Sequence, residues 1–137
     1  MIIVLDTNVL VSGMINPNGA PGRIIDLITA GTVNIALDDR IFAEYCNVLD
    51  RPRFKHHFSD FEKTSIIEFL KLSGIRASTS VVVTDLPDMG DIPFLEIALS
   101  QDIPLVTGNL KHFPKSKTLN CTIITPNEFI NQFHKLK

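Results

Sequence analysis

A chain of 137 residues and 15.3 kDa fits a single domain, residues 1–137, and is long enough to bury a core without disulfide or metal staples. Its formal net charge of -2 and pI near 6.0 exclude a protein that coats nucleic acid by bulk electrostatics. Its apolar residues, 45% of the chain, come in short runs, none near the roughly 18 uninterrupted apolar residues that cross a bilayer.

Short apolar runs alternate with helical patterns from end to end. Ile2 to Leu5 reads as the first strand, and a helix is expected over Val9 to Met14. Asn16-Pro17-Asn18-Gly19-Ala20-Pro21-Gly22 follows as a long loop, rich in the residues that make turns. A helix over Arg23 to Ala30, a strand over Val33 to Leu37 and helices over Arg40 to Asp50 and Asp60 to Ser73 come next. The β-branched run Val81 to Thr84 reads as a third strand, before a helix over Pro93 to Ser100 and strands at Leu105 to Thr107 and Thr122 to Thr125. The last helix spans Pro126 to His134. Ser59-Asp60-Phe61-Glu62 and Thr125-Pro126-Asn127-Glu128 both carry capping-box spacing, and Pro126 sits at the first helical position, where its missing N–H costs nothing.

Strands separated by helices imply right-handed crossovers. The expected fold is a three-layer α/β/α domain around a mainly parallel sheet of about five strands. The opening Met1-Ile2-Ile3-Val4-Leu5-Asp6 has neither the basic region nor the cleavage site of a secretory signal, so a cytoplasmic protein is expected. Cys46 and Cys121, without C-x-x-C spacing, read as small buried hydrophobes.

In open parallel sheets ligands bind beyond the carboxyl ends of the strands, and Asp6 closes the first strand there. Asp6 reads equally as a helix N-cap or as an acid of a site, with Thr7 and Asn8 beside it to orient a carboxylate. Glu44 falls at the border of the apolar stripe formed by Ile41, Phe42, Tyr45, Val48 and Leu49, so it is either a site carboxylate or a snorkelling partner of Arg40. Asp91 lies three residues before Phe94, on the sheet-facing side of its helix, as an N-cap, a metal ligand or both. Glu96 projects to the other side and is expected to be a solvated surface charge. Asp88 reads as a turn former able to support the site, and Thr107 and Asn109 put a hydroxyl and an amide at another strand end. Such acids, converging, would bind a hard divalent cation, Mg²⁺ or Mn²⁺, the usual apparatus for cutting phosphate esters. Between Ala77 and Leu110 there is no Lys or Arg, while basic islands flank that stretch. They are Arg51, Arg53, Lys55, His56 and His57 on one side and Lys111, His112, Lys115 and Lys117 on the other, either plain solvated surface or a rim for a phosphate chain.

Asp6-Thr7-Asn8-Val9, Glu44, the run Asp91-Ile92-Pro93-Phe94-Leu95-Glu96-Ile97-Ala98 and the run Val106-Thr107-Gly108-Asn109-Leu110-Lys111-His112-Phe113 together resemble a PIN domain over almost the whole chain. The likeness is strongest to toxins of toxin–antitoxin pairs, relatives of the VapC toxins. It implies a metal-dependent endoribonuclease with Asp6, Glu44 and Asp91 as catalytic metal ligands and Thr107 as the hydroxyl beside them. It further implies a homodimer, an RNA substrate and a small antitoxin partner. The chain departs from the pattern at Asn109, where many members have a fourth acid. An amide is a weaker ligand than a carboxylate, so a binding module that kept the fold and lost catalysis stays open, as does a small-molecule phosphohydrolase. Arg51, Arg53, Lys55, Lys111, His112 and Lys115 are the candidates for holding RNA.

Overall fold

The computed structural model describes the backbone of residues 1–135 and the side chains of residues 1–134. Five strands, β1 (Ile2–Leu5), β2 (Asn34–Leu37), β3 (Ile75–Arg76), β4 (Leu105–Val106) and β5 (Ile123–Ile124), form one sheet in the order β3-β2-β1-β4-β5. Every pairing in it is parallel. Among the described residues six α-helices flank the sheet: α1 (Thr7–Ile15), α2 (Ala20–Thr29), α3 (Asp39–Leu49), α4 (Asp60–Ser73), α5 (Ile92–Gln101) and α6 (Pro126–Lys135). α2 packs against α1 and α6, and α3 packs against α1, α4 and α5. This is the three-layer arrangement that the alternation of patterns predicts.

Ile3, Val4 and Leu5 are all fully buried. A strand with one wet face would alternate, so consecutive burial shows that both faces of the central strand are covered. Leu37, Leu105 and Val106 are equally buried in the strands on either side.

The strand order places the functional end of the sheet. From β1 the chain winds outward to β2 and β3, then crosses back to lay β4 on the other side of β1. The reversal opens a crevice beyond the carboxyl ends of β1 and β4, where adjacent crossovers leave in opposite directions.

Three local expectations are corrected. Val81 to Thr84 is not a strand: Val82 is 80% exposed, and the backbone N–H groups of Val81 and Val83 donate to the side chains of Ser100 and Glu96 rather than to a ladder. The third strand is Ile75–Arg76, a two-residue edge beside β2. The loop after α1 is shorter than expected, because Ala20, Pro21 and Gly22 already form the first turn of α2, where the missing N–H of Pro21 costs no intrahelical bond. Gly13 permits this tight return, since a Cβ there would meet the Pro21 carbonyl oxygen at 2.7 Å. Cys46 and Cys121 are free and only half-buried, with burial pushing the Cys121 thiol up to about 11. Both capping boxes form as the sequence spacing requires, Ser59 with Glu62 and Thr125 with Glu128.

Candidate metal centre and cleft

The pairing of Leu5 with Val106 brings the next residues of both strands, Asp6 and Thr107, side by side at the crevice. The Asp6 N–H donates to the Val106 carbonyl at 2.9 Å, and the Thr107 hydroxyl donates to Asp6 Oδ2 at 2.7 Å. Thr107 Oγ1 in turn accepts the Asn109 N–H at 3.1 Å, which fixes the direction of the hydroxyl. Asn8 Oδ1 accepts the Gly108 N–H at 3.3 Å and ties the start of α1 to the same turn.

Asp6 stands at the N-cap of α1 yet makes no side-chain capping bond, and Asp91 does the same at the N-cap of α5. Both carboxylates are buried and both line one cleft of about 480 Å³. Thr7, Asn8, Glu44, Arg51, Arg53, Phe54, Asp88 and His112 line it too, with Phe94 and Val48 among its apolar walls. The alternative partner for Glu44 is occupied elsewhere: Arg40 bonds to Asp38 at 2.9 Å and to Glu96 at 2.7 Å. Glu44 therefore faces the cleft from α3 without the ion pair that helical spacing offered.

Asp88 forms the expected turn, its Oδ1 accepting the Gly90 N–H at 2.9 Å, and it also belongs to the cluster. Asp88, Asp91 and His112 each place a ligand atom within 4.8 Å of the others. His112 Nδ1 lies 2.8 Å from Asp91 Oδ2, within ion-pair distance. Thr7 Oγ1 is buried without a hydrogen-bond partner.

The electrostatics follow from this crowding. Burial raises the Asp6 carboxyl above its usual range, opposed by the Thr107 hydrogen bond and the Thr7 backbone and reinforced by the Glu44 charge. Burial first, and then the Asp6 charge, raise Asp91 to about 6, with His112 opposing and Asp88 adding to the rise. Buried carboxylates that raise one another by burial and like charge fit a hard divalent cation, which would cancel the repulsion. Asp6, Asp91, Asp88 and Glu44, with His112 at the edge, are the residues able to hold one.

Not every expected residue reaches the cleft. Lys55 lines a separate shallow depression with Asp50 and Lys63. Lys111 and Lys115 are exposed outside the cleft lining, and Lys117 pairs with Asp85 at 2.9 Å. Asn109 is half-buried, and its hydrogen bond to Thr107 runs through its backbone N–H. The expectation for Glu96 is overturned: it is 6% exposed and bonded at both oxygens. A lone acid among Phe94, Leu95, Ile97 and Ala98 was the signal for that burial. Among the described residues no helix is long and apolar enough to cross a membrane.

Comparison with known proteins agrees with the fold. MJ1680, an uncharacterized protein of Methanocaldococcus jannaschii, is 26% identical over 97% of this chain and 92% of its own length. A chain in the structure of VapBC2 from Rickettsia felis bound to a DNA fragment from their promoter superposes with a TM-score of 0.58 at 17% identity. That match covers 91% of this chain and 98% of the other. A chain in the structure of VapBC-1 from nontypeable Haemophilus influenzae gives 0.60 at 17% identity, covering 93% and 99%. The PIN domain family matches residues 2–111, and the chain belongs to that family.

Proposed function

We propose that this PIN domain is a Mg²⁺- or Mn²⁺-dependent endoribonuclease and the toxin of a toxin–antitoxin pair. The observation that carries the reading is the convergence of Asp6, Glu44, Asp88 and Asp91 in one cleft that also presents Arg51 and Arg53. Acids alone would suit any cation, and arginines alone any anion. Their juxtaposition suits a cation and a phosphate chain together.

Asp6, Glu44 and Asp91 hold the cation, with Asp88 supporting them. When bound, the ion polarises a phosphodiester and makes water acidic enough to act as a nucleophile near neutral pH. Thr107 fixes Asp6 by its hydrogen bond to Oδ2, which would hold the carboxylate in one orientation for a cation. The carboxylates orient the attacking water and take its proton. Arg51 and Arg53 bind phosphate oxygens of the RNA, with forked donors that suit them. Arg53 is steadied over the Phe54 ring, its guanidinium carbon 4.8 Å from the ring centroid. The VapBC complexes whose chains share this fold support an antitoxin partner, and the reading adds that this partner is small and blocks the cleft and that the chain forms a homodimer.

Incubating the protein with RNA in Mg²⁺, Mn²⁺ or chelator tests this. Cleavage with either ion, its loss in chelator and its loss in Asp6→Asn support the nuclease. Retained RNA binding without cleavage under every metal condition would instead favour a binding module, the reading to which Asn109 lends weight. Hydrolysis of a simple phosphate ester at a rate unaffected by RNA would point to a phosphohydrolase.

A further inference from the structure

Glu96 is a buried carboxylate outside the cleft, bonded at both oxygens. Oε1 accepts from Arg40 Nη1 at 2.7 Å and Oε2 accepts the Val83 N–H at 2.9 Å. Arg40 also grips Asp38, whose Oδ1 caps the Ile41 N–H at 3.0 Å at the start of α3. One side chain on α5 thus holds two other segments. The first is the start of α3, which carries Glu44 one turn further on. The second is the extended segment at Val83, which leads to Asp88. Glu96 itself lies on the helix that Asp91 opens. Glu44, Asp88 and Asp91 sit on three separate segments, and this network ties all three to one another.

We propose that Glu96 is a positioning residue, acting with Arg40 to set the separation of Glu44, Asp88 and Asp91 so that they accept a cation together. The inference rests on the metal-site reading above. A carboxylate is suited to the task because it receives a backbone N–H and a guanidinium at once, which an amide cannot do without turning its own N–H₂ toward one of them.

The test is Mn²⁺ titration of the metal-free protein by calorimetry, without RNA. Glu96→Gln should weaken Mn²⁺ binding by about tenfold or more, as removal of groups that orient metal ligands does. Arg40→Met, at a half-exposed side chain that leaves the Val83 bond intact, should weaken it in the same direction and remains readable if Glu96→Gln fails to fold. Val33→Ala, a core truncation at the opposite end of the sheet, should lower the melting temperature while leaving Mn²⁺ affinity unchanged. In RNA cleavage, Glu96→Gln should lower kcat more than it raises KM, because Arg51 and Arg53 are untouched. Wild-type Mn²⁺ affinity in both network variants would overturn this proposal alone, leaving the metal site standing. An equal drop in Val33→Ala would reduce the effect to general destabilisation and overturn it as well. Failure of the wild type to take up Mn²⁺, with Asp91→Asn indistinguishable from it, would overturn the metal-site reading and this inference together.

Discussion

The buried hydroxyl of Tyr45 donates a 2.6 Å hydrogen bond to the carbonyl oxygen of Leu5, clamping the helix that carries Glu44 onto the strand end that carries Asp6. Tyr45 follows Glu44 in sequence and Leu5 precedes Asp6, so the bond holds the two acids in register across 40 residues of chain. Tyr45→Phe leaves the Leu5 carbonyl without this partner. It should cost about 1–3 kcal/mol of stability, measured by denaturant unfolding, and reduce cleavage with little change in RNA affinity. A variant as stable and as active as the wild type would show that the clamp is dispensable.

Asp6→Asn, Glu44→Gln and Asp91→Asn should each abolish most cleavage without unfolding the protein. Removing one charge from a cluster of buried carboxylates relieves repulsion, so the metal-free variants should melt at the wild-type temperature or slightly above it. Mn²⁺ should raise the melting temperature of the wild type and raise that of the variants less, since only a bound ion stabilises the folded state. Equal metal-induced shifts in all four proteins would refute the ligand set.

Asp91 makes stability depend on pH in a direction opposite to that of an ordinary paired carboxylate. Its folded value is raised from 3.8 to about 6, so the folded state binds its proton more tightly than the unfolded state does. The stabilisation is complete below the unfolded value near 3.9 and is lost as the pH climbs through about 6. In the metal-free protein Asp91→Asn should therefore gain stability relative to the wild type between about pH 4 and pH 7, by on the order of 2 kcal/mol once solvent screening at the cleft mouth is allowed for. Parallel stability curves for the two proteins over that range would contradict the raised value.

Much of this arrangement was legible in the sequence, and the exceptions share a cause. The order of elements, the parallel sheet and the convergence of Asp6 and Asp91 follow from periodicity and from the rule that sites form at strand carboxyl ends. Val81 to Thr84 has strand propensity, but its N–H groups find side-chain acceptors on α5, a tertiary choice that no local pattern encodes. Glu96 misled for the complementary reason. Its helical phase pointed outward, and its partners Arg40 and Val83 lie 56 and 13 residues away in the chain. The arginine within helical reach of Glu44, Arg40, was likewise claimed by that distant acid.

The basic residues divide by position. Arg51 and Arg53 line the cleft, whereas Lys111 and Lys115 do not. Arg51→Ala with Arg53→Ala should weaken RNA binding and flatten its salt dependence, by roughly 0.7 in the log–log slope for each single-strand phosphate left without its arginine. Lys111→Ala with Lys115→Ala should do less. Fluorescence anisotropy across a salt series measures both, and a larger effect from the lysine pair would relocate the RNA path.

Asn109→Asp adds a carboxylate beside the turn that fixes Thr107 and Asp6. It should raise cleavage most at low metal concentration and lower the stability of the metal-free protein, because the new charge attracts the cation and repels its neighbours. Identical metal dependence in the two proteins would place this side chain outside the ion-binding shell.

The functional reading stands or falls on whether the cleft holds a cation on Asp6, Glu44 and Asp91, and anomalous diffraction from crystals soaked in Mn²⁺ decides it. An anomalous peak is expected within coordinating distance, roughly 2.0–2.4 Å, of oxygens from Asp6, Glu44 and Asp91, with Asp88 supporting the set through water. The peak should disappear in Asp91→Asn. A cleft without a peak at saturating Mn²⁺, or a peak held by other residues, would contradict the reading.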